Sequence, residues 1–190
     1  MSEHTKEALG MSLKKILETK PVDKITIKDL TNDCGVNRQT FYYHFRDIYD
    51  LIEWMYLTRA KEAIGAHKTY DTWQEGMLDM CNHMLESKSF VLKTYHSRVQ
   101  AYLIPLLINL SYNLMYGVVN EVSKGYKIQE KDKKFIADFY KFGFAGLIYT
   151  WVDDGMVQDP HEMVQELERL VKGNFLEAVH RYADAEKGHQ

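Results

Sequence analysis

Cysteine, proline and long apolar runs are all scarce in this chain, and each scarcity removes a class of protein from consideration. Cys34 and Cys81 are the only thiols in 190 residues and form no CxxC pair, so both are expected to be reduced and buried. With no secretory signal at the amino terminus, the cytoplasm is the expected compartment. No uninterrupted apolar run reaches the roughly 18 residues of a membrane-spanning helix. The richest, Tyr102 to Leu110, is much too short. Three prolines and a 45% hydrophobic composition suit a soluble chain with a sizeable core, arranged as one domain or two small ones. Low-complexity segments and internal repeats are missing.

A surplus of positive charge is missing as well. Residues 1 to 50 hold eight Lys or Arg and eight Asp or Glu, and the remainder holds sixteen and nineteen, for a net charge of −3. That balance argues against broad nonspecific coating of nucleic acid but leaves room for a dimer that places a few cations locally. Catalytic signatures are absent too: there is no Gly-rich phosphate loop, HExxH or recognisable nucleophile motif. His67, His83 and His96 are far apart in sequence. The expectation is therefore a protein that is not an enzyme and needs no metal or cofactor.

What is present is the stretch from Thr26 to Arg46, TIKDLTNDCGVNRQTFYYHFR. Thr26 precedes an acid at Asp29, the capping-box arrangement, and Ile27, Leu30 and Cys34 then fall on one face of a helix. Gly35 follows where a helix can stop in a left-handed turn, and Asn37 is a good N-cap for a second helix. Within that second helix Phe41 and Phe45, four apart, point inward and leave Arg38, Gln39, Thr40, Tyr42, Tyr43 and His44 for the outer surfaces. The pattern is a helix-turn-helix, and the plainer alternative is an ordinary pair of core helices.

The run from Gly35 to Arg46, GVNRQTFYYHFR, resembles the signature of the TetR family of bacterial transcriptional regulators, whose recognition helix ends in an aromatic-Tyr-X-His-Phe run and a basic residue. The stretch Phe41 to Tyr56, FYYHFRDIYDLIEWMY, is similar to a narrower subgroup related to the dihydroxyacetone kinase operon activator. Ile48 and Tyr49 stand where the commonest family pattern has a lysine and an acid, which puts one familiar phosphate contact in doubt. The resemblance implies an all-α fold: a three-helix DNA-binding module over residues 1 to 47 and a helical regulatory and dimerisation domain over 48 to 190.

Helix-turn-helix docking places the start of the second helix near base edges. Arg38 can fork onto guanine, Gln39 can pair with adenine and Thr40 can meet a thymine methyl, while Asn37 caps the helix that carries them. Lys28, Tyr42, Tyr43 and His44 suit phosphate, which sets register without reading sequence. Upstream, residues 2 to 19 read as a supporting helix with Leu9, Leu13, Ile16 and Leu17 on one face and Lys6, Lys14 and Lys15 elsewhere, a lysine near its start being able to reach phosphate.

Downstream, helices are expected over Ile48 to about Ala66, 71 to 86, Gln100 to Lys124, Phe135 to Asp153 and Pro160 to about Val179, with a short one between Ser87 and Ser97 and a charged loop from Gly125 to Lys134. Trp73, Met77, Met84, Tyr102, Tyr112 and Tyr116 are the expected walls of a ligand pocket. In the resembling family the last two long helices form a four-helix bundle with a partner subunit. That implies dimerisation through Phe139, Phe142, Gly143, Gly146, Leu147, Leu167, Leu170, Val171 and Phe175.

The expected function is a homodimeric regulator on a palindromic operator in double-stranded DNA, controlled by a signal at the carboxyl-terminal domain, with a small-molecule effector or a protein coactivator as the candidate source. The subgroup resemblance leaves open an activator that works with a protein coactivator of dihydroxyacetone metabolism. A non-catalytic helical protein-interaction module is the alternative from a different class.

Overall fold

The computed structural model describes residues 2–64 and 69–187, so His67 and the expected end of the fourth helix at Ala66 lie outside the described residues. Among the described residues every regular element is helical. Helix α1, Ser2–Leu17, buries Leu9, Leu13 and Leu17; Pro21 then sets off a single 3-10 turn at Val22–Lys24. Helices α2, Ile27–Cys34, and α3, Arg38–His44, close against α1 around Leu30, Phe41 and Phe45. Ser12 Oγ donates to the Leu30 carbonyl at 3.3 Å inside this small core, which ties α1 to α2.

Helix α4, Ile48–Ile64, is shared between two cores. Its first turns add Leu51 and Ile52 to the amino-terminal cluster, past the expected boundary at residue 47, and its Ala60 belongs to a second, larger cluster. That second cluster is built by α5, Trp73–Glu86, α6, Lys88–Tyr95, α7, Gln100–Val122, α8, Glu130–Asp153, α9, Pro160–Val171, and α10, Asn174–Lys187. Phe90 and Val99, from α6 and just before α7, reach back into the amino-terminal core, so the two clusters are joined by side chains as well as by α4.

Two sequence expectations are corrected here. Helix α8 begins at Glu130, inside the segment read as a charged loop, because Glu130 and Asp132 sit in its first turn where the helix dipole favours acids. Lys133 pairs with Glu130 at 3.8 Å in the same turn. The last expected helix is in fact two, since Gly173 takes φ +82° and turns the chain between α9 and α10. Helix α7 has an 18-residue window of mean hydropathy 1.4, long and apolar enough to cross a membrane by composition alone. It packs along α8 and sends Leu114, Met115, Val118 and Val119 into the core.

The residues expected on the partner-facing side divide into two groups. Phe139, Phe142, Gly143, Gly146, Leu147 and Leu170 are exposed. Leu167, Val171 and Phe175 instead fill the larger core of their own subunit, at 5%, 6% and 0% exposure. The amphipathic stripe of α9 and α10 serves the subunit, and only its edge is left outside. Leu167→Ala is accordingly expected to destabilise the fold by about 2–5 kcal/mol. Urea unfolding checks this: the loss should persist at every protein concentration, and a loss that vanished at high concentration would make Leu167 an assembly residue.

Candidate nucleic-acid interface

The local geometry of α2 and α3 follows from four short-range devices. Thr26 is an extended N-cap whose Oγ1 accepts the Asp29 N–H at 3.2 Å, while Asp29 Oδ2 accepts the Thr26 N–H at 2.7 Å. Lys20 Nζ donates to the same carboxylate at 2.6 Å. The lysine first, and then the Thr26 hydroxyl and N–H, hold the Asp29 carboxyl at about 2, so the cap stays ionised at any ordinary pH. Gly35 ends α2 at φ +70°, a conformation that costs an L-residue with a Cβ about 1–2 kcal/mol. Asn37 Oδ1 then accepts the Thr40 N–H at 2.8 Å and opens α3.

Phe41 and Phe45 anchor α3 from beneath, with ring centroids 5.9 Å apart and a further tilted contact from Phe45 to Trp54 at 5.7 Å. Everything opposite is presented outward. Arg38 and Gln39 are exposed at the first turn, and Arg38 lies over the Tyr42 ring at 5.9 Å with Nη2 donating to the Tyr42 hydroxyl at 3.3 Å. The guanidinium is thereby held to one side of the helix by an i, i+4 contact. Tyr43 is the most exposed aromatic side chain of the helix, at 83%, and Lys28 projects from α2. His44 is half-buried, edge-on to Tyr43 at 5.0 Å. Thr40 is half-buried too and its hydroxyl donates to Asn37 Oδ1 at 3.0 Å, so its methyl and one acceptor are what remain for a partner.

The lysines of α1 are occupied within the subunit. Lys15 pairs with Asp33 at 2.5 Å, Lys6 sits 5.6 Å over the Trp54 ring, and Lys14 Nζ donates to Ser87 Oγ at 3.0 Å. A phosphate contact from this helix would have to displace one of these. The exposed surface suited to DNA is therefore α3 with Lys28 of α2: a ridge of cationic, amide and phenolic groups on a helix anchored by Phe41.

A second feature lies behind that ridge. A cavity of about 430 Å³, open to solvent on one side, is lined by α1, α4, α5, α6, α7 and α8. Of the six residues expected to line a pocket, Met84 does. Trp73 and Met77 are in the core at 2% and 1% exposure. Tyr102 stacks outside on Tyr49 at 5.0 Å, and Tyr112 stacks on Tyr116, whose hydroxyl donates to Glu130. These five do not line the cavity. Its walls are instead Trp54 and Met55 of α4, Met80 and His83 of α5, and Leu103 and Leu107 of α7, with Lys14 of α1 at one side. His83 is half-buried and pairs with Glu86 at 3.1 Å, while His96 is exposed elsewhere.

Comparison with known proteins agrees with both halves of this architecture. A family model described as bacterial regulatory proteins, tetR family, matches residues 14–55, and one described as a transcriptional regulator C-terminal region matches residues 71–173. The HTH-type dhaKLM operon transcriptional activator DhaS of Lactococcus lactis subsp. lactis (strain IL1403) is 23% identical over 91 residues. That alignment covers 48% of this chain and 49% of the relative, so the chain spans about half the length of the curated relative it matches. In three dimensions the chain is similar to the dihydroxyacetone kinase operon activator DhaS, with TM-score 0.70 and 18% identity over 94% of this chain and 98% of that one. It is also similar to the TetR family repressor AlkX from Dietzia sp. strain DQ12-45-1b, with TM-score 0.56 and 14% identity over 92% and 96% of the two chains. At such identities the likeness is one of fold. The two family matches decide the rest: this chain belongs to the TetR family and is a DNA-binding transcriptional regulator.

Proposed function

We propose that two copies of the chain bind a palindromic operator, with Arg38, Gln39 and Thr40 of each α3 at base edges and Lys28, Tyr42, Tyr43 and His44 on the flanking phosphates. The observation that carries this reading is the outer face of α8. Phe135, Phe139, Phe142 and Leu147 are exposed there, and Gly143 and Gly146 lie between them with nothing within 4 Å of a Cβ placed at either. No packing inside the subunit requires those glycines, whereas close approach of a second helix would. Exposed aromatic and small residues on one helix face suit a second copy of the same face, with Leu170 at its edge. A dimer also supplies what a seven-residue recognition helix lacks alone, a second half-site.

A signal received by the carboxyl-terminal domain then alters operator affinity by favouring one arrangement of the two recognition helices. Repression relieved by a small molecule is the first form of that reading. Activation of an operon for dihydroxyacetone use, with a protein coactivator delivering the signal, is the second, and the likeness to an operon activator of that name favours it.

Genome-wide mapping of bound fragments followed by footprinting tests the proposal. An inverted repeat with two protected half-sites is expected; a single unrepeated site would remove the dimer. Expression of the adjoining genes with and without the regulator gives its sign. The affinity for that operator should fall steeply with salt, because each neutralised phosphate releases counterions. Lys28→Ala, present twice in a dimer, is expected to lower the log–log salt slope by about 2. An unchanged slope would take Lys28 off the DNA backbone.

A further inference from the structure

The cavity behind the DNA-binding ridge is lined by α1 as well as by the regulatory helices, with Gly10, Met11 and Lys14 on its amino-terminal side. Helix α1 is also the platform of the helix-turn-helix, through Leu9, Leu13 and the Ser12 bond to α2. It rests closely on α4 at one point, where a Cβ on Gly10 would meet Met55 Sδ at 3.4 Å. Anything that fills this cavity touches the DNA-reading module without an intermediary. The volume is in the range, roughly 300–1,000 Å³, that accommodates a small organic ligand.

The chemistry of the lining is unevenly matched. Its three carboxylates each have a cationic neighbour: Glu62 with Arg59 at 2.8 Å, Glu3 with Lys6 at 3.4 Å, and Glu7 with His4 at 3.5 Å when that histidine is protonated. Lys14 differs. It is half-buried, its ammonium donates to the Ser87 hydroxyl and lies 5.5 Å over the Phe90 ring, and no carboxylate of the described residues is within ion-pair distance of it. Burial first and the charge of Arg59 second push its pKa down, against a weaker opposing pull from Glu86. Tyr95 also lies on the cavity wall, 6% exposed, with its ring edge-on to Tyr149 at 5.5 Å. The rest of the wall is mostly apolar, from Trp54, Met55, Met84, Leu103, Leu107 and Ile148, with Thr58, His83 and Tyr149 as polar exceptions.

We propose that this cavity takes an amphipathic monocarboxylate, an apolar body ending in one carboxylate, which pairs with Lys14 and so acts on α1 directly. The proposal rests on the reading of the chain as a signal-controlled DNA-binding regulator and names the class of signal. The apolar body lies against the α4, α5 and α7 walls, where burial drives binding. The carboxylate supplies the anion that Lys14 lacks and takes over from the neutral Ser87 hydroxyl, a stronger, charge-assisted partner. Helix α1 then loses its tie to the turn between α5 and α6. The carboxyl-terminal end of α1 stays held to α6 by Lys93 Nζ, which donates to the Leu17 carbonyl at 2.9 Å, and by Ser89 Oγ, which donates to Glu18 at 3.3 Å, and these contacts become the pivot. Because α2 and α3 are packed on α1, displacement about that pivot re-aims the recognition helix.

Isothermal titration of the full-length protein with dodecanoate and with 1-dodecanol, which share a chain length and differ in charge, tests the assignment. Dodecanoate is expected to bind at least tenfold more tightly than the alcohol. Lys14→Met should abolish that preference while the alcohol still binds, and Lys14→Arg should restore it; circular dichroism and the melting temperature establish that each variant is folded. Equal binding of acid and alcohol, or a preference that survives in Lys14→Met, overturns the proposal. Dodecanoate is also expected to change wild-type operator affinity at least fivefold and that of Lys14→Met not at all. An unchanged wild-type affinity overturns the action on α1. Operator binding by the ligand-free protein is measured in parallel. If it holds while the acid preference fails, the cavity proposal alone falls; if it fails while the preference holds, the regulator reading falls instead.

Discussion

A chain carrying Phe139→Glu and Phe142→Glu together is expected to sediment as a monomer and to lose operator binding while keeping its fold. Both side chains are largely outside the subunit, at 71% and 59% exposure, so an acid at either position meets water in the monomer and disturbs no core. In a dimer formed on this face the same positions are buried. Fully burying a phenylalanine contributes about 1.5–3 kcal/mol, and the dimer holds four of these rings, so the lower end of the range already removes about 6 kcal/mol. At 1.4 kcal/mol per tenfold change, that raises the dissociation constant by roughly 10⁴ before any cost of burying four carboxylates is added. Analytical ultracentrifugation gives the assembly state, and fluorescence anisotropy with an operator duplex gives the affinity, which should approach the nonspecific range of about 10⁻⁴–10⁻⁶ M. Lys141 lies 4.9 Å over the Phe142 ring and pairs with Asp138 at 2.6 Å, so Phe142→Glu also brings a local cation within reach of the new acid. That contact eases the substitution in the monomer and separates loss of assembly from loss of folding. A double variant that remains dimeric removes the outer face of α8 from the interface.

Much of the DNA-reading module was legible in the sequence because its determinants are local. The Thr26–Asp29 cap, the Gly35 stop, the Asn37 cap and the inward Phe41–Phe45 pair each act within four or five residues, and each is found as the spacing suggests. Gly173 offered the same kind of signal as Gly35, yet the apolar stripe across Leu170, Val171, Asn174 and Phe175 suggested one continuous helix. Here a local breaker outweighed the periodicity. The cavity was not legible, for a different reason. Its lining runs from Glu3 to Val152 over six helices, so it is a property of how the helices are placed and not of any one of them. The methionines of α5 show the difficulty. Met77 and Cys81 share one side and enter the core, whereas Met80 and Met84 share the neighbouring side and face the cavity. A stripe broad enough to include both is visible in the sequence; the angle that divides it is set by α4 and α9, the helices packed on α5. The same ambiguity governs α9, where Leu167 and Val171 turn inward and Leu170 outward.

Arg38→Ala combined with Gln39→Ala is expected to abolish discrimination between operator and unrelated DNA and to leave the melting temperature unchanged. Neither side chain contributes to the core of the module, and the Asn37 cap and the Phe41 anchor that hold α3 in place remain. What is lost is a planar fork at the first residue of the recognition helix and an amide at the second, the groups whose geometry matches guanine and adenine edges in the major groove. A good bidentate base contact discriminates by about 1–3 kcal/mol, and two contacts in each of two subunits sum to about 4–12 kcal/mol. That range spans the gap of about 4–10 kcal/mol between specific and nonspecific binding, so the double variant should retain only its phosphate-driven affinity. The single variants separate the two readers. Arg38→Ala also frees the Tyr42 hydroxyl that the guanidinium now engages at 3.3 Å, so Tyr42→Phe, which removes that bond and keeps the ring, is the control for an indirect effect. If Arg38 reads guanine, selection of sequences bound by Arg38→Ala will relax at one position in each half-site, while Tyr42→Phe will weaken binding evenly across sequences. Relaxation at the same position in both variants would mean that Tyr42 acts by aiming Arg38. Undiminished operator preference in the double variant would assign base reading to another part of the molecule and leave the first turn of α3 as a backbone contact.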